Sequence, residues 1–241
     1  MFCTWDSQSV EDTASTASSA CTKRQETNDT KQQVHLTNAD AVSSTYKWFQ
    51  NIVLGQKLCP FAAPLVSNVD NKLRIVTSSA STPHQAATDV IHEALLLMRD
   101  ESNYPHHRHE TTLVVFDDKD DDDSFVKDFH AFVRLSWTLQ EKAIVETGLE
   151  GELQLVLFHP KATHQTYGVC SDEDHPADYT IRSPYPTVHL LREQDVIRAV
   201  QSGYPHLEEL PNRNKARFIE QGIETCQRRL AACYVVEKKA Q

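Results

Sequence analysis

Apolar residues recur every three or four positions in several stretches of the chain after residue 38. Such spacing lines one face of a helix and is typical of amphipathic helices. In the stretch after Thr82, a helix cap, a proline at the first helical position and Gln85 as capping-box partner sharpen the prediction. The pattern predicts helices that begin near Asp40, at Pro83, after Asp123, near Glu193 and near Asn212. The last helix is predicted to run to about Val235 and to bury Ala216, Ile219, Ile223, Cys226, Leu230 and Cys233.

Short continuous apolar runs alternate with these helices. They predict strands at residues 73–76, 111–116 and 153–158, and a short fourth strand at residues 187–191. Alternation of strands and helices favours an α/β fold, because parallel strands need helical crossovers. We therefore predict one α/β domain over residues 39–241, with three to four strands in a largely parallel or mixed sheet. An α+β sandwich with an antiparallel edge is the alternative.

Residues 1–38 lack this periodicity. They are rich in Ser, Thr, Gln, Asn and charged residues, and they contain few apolar side chains. Such a segment buries too little surface to offset its conformational entropy, so it is predicted to be a disordered tail. Its acidic residues do not fit a transit peptide, so an organelle address has no support.

Composition excludes several classes of function. The net charge of −10 argues against a nucleic-acid-binding protein, and no apolar run approaches the roughly 18 residues of a membrane span. Six scattered cysteines without C-x-x-C spacing indicate free thiols and a cytoplasmic location. There is no G-x-G-x-x-G, Walker loop, G-x-S-x-G or H-E-x-x-H motif, so the cofactor, if any, is unknown.

Polar side chains that could carry chemistry follow several of the predicted elements. Cys59 lies next to Pro60 after the first helix. It could be a nucleophile, a metal ligand or a buried thiol that only packs. His159 ends the third strand, where open α/β sheets bind ligands, although a buried structural histidine is the alternative. The acidic run from Asp117 to Asp123 is interpreted as a solvated helix cap and not as a calcium site.

The long loop after His159 and the segments that follow it contain the other candidates. Arg182 and Ser183 precede two prolines, and Arg182 could bind an anion or form an internal salt bridge with Asp174. If residues 189–193 are extended, His189 and Glu193 share one face and Arg192 takes the other. If they are helical, the three side chains cluster. Arg213 begins the last helix, where backbone N–H groups also favour an anion.

Five ordered stretches resemble a family of uncharacterised proteins, domain-of-unknown-function family 1415. They are LCPFA at residues 58–62, ETTL at 110–113, FHP at 158–160, RSPYP at 182–186 and HLLRE at 189–193. The resemblance implies that the family motifs include Cys59, His159, Asp172, Asp174, Arg182, Ser183, His189, Arg192, Glu193 and Arg213. It implies no reaction.

The candidate residues favour an enzyme that acts on a small anionic metabolite. His159 or His189 would be the general acid or base, oriented by Glu193 or Asp174, and Cys59 could be the nucleophile. Arg182 and Arg192, with Ser183 and Arg213, would bind the substrate. This hypothesis expects Cys59, His159, Arg182, His189 and Arg192 to converge on one cleft. The alternatives are a non-catalytic anion-binding or regulatory module, and a metal-dependent enzyme with His159, His189 and a carboxylate as ligands.

Overall fold

Four short strands form one sheet with helices on both sides. The computed structural model of the protein describes residues 38–66, 72–99, 109–117, 124–164 and 174–235. The strands are β1 (Leu73–Ser78), β2 (Thr111–Phe116), β3 (Leu153–Phe158) and β4 (Thr187–Arg192). The helices are α1 (Asn38–Trp48), α2 (Pro83–Met98), α3 (Phe129–Thr138), α4 (Ile144–Glu146), α5 (Glu193–Gln201), α6 (Leu210–Gln221) and α7 (Ile223–Ala231). A π-helical segment, Phe49–Leu54, continues α1, and another, Leu139–Ala143, joins α3 to α4.

The sheet is mixed, with the strand order β1-β2-β4-β3. Strands β1 and β2 are parallel, whereas β4 lies between β2 and β3 and is antiparallel to both. The predicted α/β class is thus confirmed in its mixed form and not in its largely parallel form. Because β4 is central, each of its side chains has neighbours on two strands.

Each face of the sheet has its own hydrophobic core. On one side, even-numbered residues of β2 and β4 pack against α2, α3 and the helical segment after α3; Phe116 and Phe132 meet there with ring centroids 5.6 Å apart. On the other side, odd-numbered residues such as Leu113 and Val115 pack with α1, α6 and α7. This division follows from the alternation of side chains along a strand. A residue's parity on β2 or β4 therefore decides which core it faces.

Several local predictions are confirmed. Thr82 caps α2, since its hydroxyl accepts the Gln85 N–H at 3.3 Å, with Pro83 at the first helical position. The helix predicted near Asp40 is present as α1, which begins at Asn38 and continues into the π-helical segment before Gly55. Cys226 and Cys233 are buried. No helix in the described ranges combines the length and the apolarity that crossing a membrane requires.

The prediction of a single C-terminal helix from Asn212 to Val235 is wrong. Gly222 separates α6 from α7 with φ 78° and ψ 159°, a conformation that only glycine adopts readily. The break rotates α7 relative to the α6 pattern. On α6 itself, the residues that face the core are Leu210, Asn214 and Phe218, so Ile219 is 51% exposed and Ala216 is exposed as well, contrary to the prediction.

The interpretation of the acidic run also changes at its first residue. Asp117 is only 4% exposed, so it is not a solvated cap residue. It directly follows β2, and its N–H donates to the Ser78 carbonyl at 3.0 Å. The cap of α3 is Asp128, whose carboxylate accepts the Ala131 N–H. Residues 118–123, the predicted tail at 1–37 and Asp172 lie outside the described residues.

Candidate functional site

His159 is packed into the core on the α3 side of the sheet. It is 1% exposed, and its ring lies between Phe129 and Phe132 at centroid distances of 5.4 and 5.5 Å. Nε2 lies 2.8 Å from the Val126 carbonyl, and Nδ1 accepts the Lys161 N–H at 2.9 Å. Burial lowers the pKa to about 4, so the ring is neutral at pH 7. Both nitrogens are therefore used by the backbone, and neither is available to a substrate.

His189 lies on β4 and projects from the opposite side of the sheet. Its neighbours in the register are Leu113 on β2 and Val156 on β3. The imidazole is half-buried, its centroid lies 6.3 Å from that of Phe158, and burial lowers its pKa to about 4. The ring is thus neutral at pH 7.

The hydrogen bonds of Thr111 determine which nitrogen of His189 carries the proton. Nε2 lies 2.5 Å from the hydroxyl oxygen of Thr111, and that hydroxyl lies 3.0 Å from the Leu190 carbonyl. The carbonyl can only accept, so Thr111 donates its one proton there and accepts the Nε2–H of His189. Nδ1 consequently has its lone pair available, and no described residue hydrogen-bonds it.

The predicted convergence of five residues on one cleft is wrong. His159 and His189 project from opposite faces of the sheet. The odd-numbered residues of β3, which His159 follows, face the α3 side, whereas the odd-numbered residues of β4, which include His189, face the α1 side. The opposite faces also rule out the predicted metal centre that used both histidines. In the described ranges, three potential metal ligands come within 4.8 Å of one another at one place, the exposed group His206, Glu208 and Glu209.

Arg182 belongs to a network of internal contacts. Its Nε donates to the Ala162 carbonyl at 3.0 Å, and Nη1 donates to Asp174 at 3.0 Å. Nη2 lies 3.9 Å from Asp178, and the guanidinium lies 4.7 Å from the centroid of the Tyr179 ring. The salt bridge with Asp174, one of the two predicted alternatives, is thus present. The guanidinium orders the loop before β4.

Asp174 is the exposed member of this network. Burial alone would raise the pKa of its carboxyl, but hydrogen bonds from Gln227 and Arg182 outweigh it and lower the pKa. The Gln227 amide donates at 3.1 Å and ties the loop to α7. Next to Arg182, Ser183 is fully buried and donates its hydroxyl proton to the Tyr185 carbonyl at 2.5 Å.

The segment His189–Arg192 is extended, as one of the two predicted alternatives requires, and α5 begins at Glu193. Arg192 projects away from His189 and is buried. Its guanidinium donates to the Leu97 carbonyl at 2.5 Å and to the His109 carbonyl at 2.9 Å. Arg192 thereby joins the end of α2 to the start of β2. The Glu193 carboxylate is half-buried and contacts no described cation.

Cys59 lies in a turn after the π-helical segment, half-buried. Burial raises the pKa of the thiol, and the N–H groups of Phe61 and Ala62 only partly oppose this effect. The turn is held against α6, because the Asn214 amide donates to the Leu58 carbonyl at 2.8 Å. Within the described ranges, no hydrogen bond, ion pair or ring contact joins Cys59 to His189, Arg182 or Arg192.

Arg213 precedes Asn214 on α6 and is exposed. One turn later, Arg217 donates to the Gln56 carbonyl, so α6 runs antiparallel to the segment from Gln56 to Leu58. Arg213 therefore lies in the first turn of a helix that begins at Leu210, slightly before the predicted start, and that runs along the Cys59 turn. It is the one predicted arginine whose guanidinium has no described ion-pair partner.

His164 makes half-buried polar contacts that no sequence pattern predicts. Its N–H donates to Asp178 at 2.8 Å, and its Nε2 lies 2.9 Å from the Thr180 hydroxyl. Burial, with a smaller effect of Lys215, lowers the pKa to about 4. His164 lies in a polar stretch without apolar periodicity, so no pattern pointed to it. The polar residues Asp178 and Thr180, which contact His164, are the one feature of the sequence that could have indicated it.

On the α1 side, one part of the sheet lies beyond the two strands on which α1 packs. Helix α1 packs on β1 and β2, while the side chains of β3 and β4 are half-buried. We call this surface the open face, and it consists of Gln154, Val156, Phe158, His189 and Leu191. Val156 and Leu191 belong to neither hydrophobic core. At one end of the open face, Phe158 contacts the buried Trp48, with ring centroids 5.0 Å apart.

These features define an α/β domain with a neutral, half-buried histidine on the open face of a mixed sheet. The chain belongs to the family described as "Protein of unknown function (DUF1415)", whose model matches residues 40–228. The predicted family resemblance is thus confirmed. No curated protein and no solved structure matches the chain significantly.

Proposed function

We propose that this protein is an enzyme that acts on a small metabolite, with His189 as the general base. The observation that carries the proposal is the state of the imidazole: its proton is on Nε2, donated to Thr111, and its Nδ1 lone pair lies on the half-buried open face. A base of this kind needs a fixed tautomer and an accessible nitrogen. His159 has a fixed tautomer but no accessible nitrogen.

The low pKa of His189 has a consequence for the reaction. With a pKa of about 4, the ring is ready to accept a proton over the whole neutral range, but it is a weak base. It suits a substrate whose proton becomes acidic on binding, or a step in which the substrate supplies most of the driving force. Thr111 acts through His189 and is a positioning residue.

The predicted negative charge of the substrate needs a cation. Arg182 and Arg192 are engaged by carbonyls and carboxylates, so they have no part in this proposal. Cys59 has none either, because burial keeps its thiol protonated and no described contact links it to His189. Arg213 remains the predicted anion-binding residue that solvent can reach.

The experiment is a metabolite screen by thermal shift, followed by turnover assays of the compounds that bind. For an enzyme with His189 as base, His189→Ala should lower kcat/KM by about 10²–10⁴-fold, while the control His84→Ala, at an exposed position, should not. The rate should be constant at neutral pH and fall as the pH drops toward the pKa of about 4. Unchanged turnover in His189→Ala would exclude this role.

A non-catalytic anion-binding module is the second candidate, and the exposed Arg213 on α6 favours it. It predicts stabilisation by citrate or phosphate that is lost in Arg213→Ala and kept in His189→Ala. Stabilisation that depends on neither residue would argue against both functions.

A further inference from the structure

We infer that the open face binds an uncharged, amide-bearing planar group, with Gln154 as the specificity-determining residue beside His189. The ligand would be the substrate, and this part of the inference rests on the proposed function. The binding itself can be tested without turnover.

The register of β3 and β4 places Gln154 and His189 on one diagonal. Gln154 lies opposite Leu191, and Val156 lies opposite His189. All four side chains project to the same side, because they alternate with residues of the other core. Diagonal neighbours on adjacent antiparallel strands are about 7–8 Å apart, close to the length of a substituted six-membered ring. The two polar side chains thus flank an apolar patch made by Val156 and Leu191.

Gln154 has no structural task among the described residues. It lies in a six-residue strand whose other members are all apolar, it is half-buried, and its amide makes no hydrogen bond within the described ranges. A half-buried amide without a protein partner is satisfied by water or by a ligand. It is thus available to a ligand at the same surface as Nδ1 of His189.

The chemistry of the two side chains specifies the ligand. The glutamine amide both donates and accepts, so it pairs with another amide edge, whereas Nδ1 of the neutral imidazole only accepts and calls for an N–H or O–H. The side chains that β3 and β4 place on this face carry no charge. A carboxylate bound here would lose hydration without gaining a cation, which is costly. An amide of the same shape has no such penalty.

Two matched probes test the inference, 4-hydroxybenzamide and 4-hydroxybenzoate. They have the same shape, each offers a phenolic O–H to His189, and they differ in the uncharged amide or the carboxylate that would meet Gln154. For a ligand of about ten heavy atoms, we expect a Kd of about 1 mM. Binding is measured by the methyl NMR shifts of Val156 and Leu191, which also locate the ligand.

We expect the amide to bind at least tenfold more tightly than the carboxylate, and Gln154→Met to abolish this preference. Gln194→Ala, on α5, is the matched control and should bind as the wild type does. Three results would overturn the inference: a preference for the carboxylate, an amide preference that Gln154→Met leaves unchanged, or an absence of methyl shifts for both probes. Amide binding at this face without turnover of any amide substrate would instead count against the proposed function alone.

Discussion

Replacing His159 with alanine is expected to destabilise the domain, not to remove an accessible functional group. The substitution deletes a ring between Phe129 and Phe132 and leaves the buried Val126 carbonyl and the Lys161 N–H without their partners. A cavity of this kind and two lost hydrogen bonds cost together about 4 kcal/mol. That loss is a large fraction of the free energy of unfolding of a typical domain, which is about 10 kcal/mol.

The size of this effect should depend on pH. Because the pKa of His159 is about 4 in the folded protein and about 6.5 when unfolded, the unfolded state binds more protons between these values. The stability that the neutral ring contributes is complete above pH 6.5 and is lost as the pH falls toward 4. At pH 5.5 the wild type should have lost about 1.4 kcal/mol from this group. His159→Ala has no such group, so the difference between the two proteins should shrink by that amount.

The assay is urea unfolding of wild type and His159→Ala at pH 7.5 and pH 5.5. Contributions from His164 and His189 are common to both proteins and cancel in the comparison. His84→Ala, at an exposed position, should stay within about 0.5 kcal/mol of the wild type at both pH values. A loss below about 1 kcal/mol at pH 7.5, or a difference independent of pH, would refute the buried neutral role of His159.

Three further outcomes are expected. Arg182→Ala should lower the free energy of unfolding in urea by about 3–5 kcal/mol, because it leaves the buried Asp178 without its cation. Arg182→Lys should recover little of this stability, since lysine lacks the planar guanidinium, and full recovery would contradict the prediction. Gly222→Ala should lower stability by about 1–3 kcal/mol, measured in the same way, because alanine is strained at φ 78° and ψ 159°. Deletion of residues 1–38 should change the Tm by less than about 2 °C in calorimetry, and a drop of about 10 °C would show that the tail packs on the domain.

The strands and most helix starts could be predicted because their signals are local. The apolar runs at β2 and β3 need no knowledge of distant residues, and the Thr82 cap is defined by residues within one turn. For residues 189–193 the sequence allows both an extended and a helical conformation, since so short a segment supports both periodicities. Only its pairing with β2 and β3 decides between them.

The site could not be assembled from the sequence because strand order and register are not local. His159 follows β3 and His189 lies on β4, and whether they share a face depends on a register in which one residue of slip reverses every side chain. For Arg182 the nearby partner Asp174 could be predicted, whereas the Ala162 carbonyl, twenty residues away, could not. Gly222 was compatible with a continuous helix as well as with a break.

The position of β4 also constrains how the chain folds during synthesis. Of the four described strands it is the last to be synthesised, yet it lies between β2 and β3 and joins them. A ribosome must therefore release the chain to about residue 192 before the sheet can close. Until then β3, an apolar strand with no partner, is exposed in the nascent chain and open to pairing with other chains. Conditions that keep β3 from pairing with other chains during this interval would therefore raise the yield of folded protein.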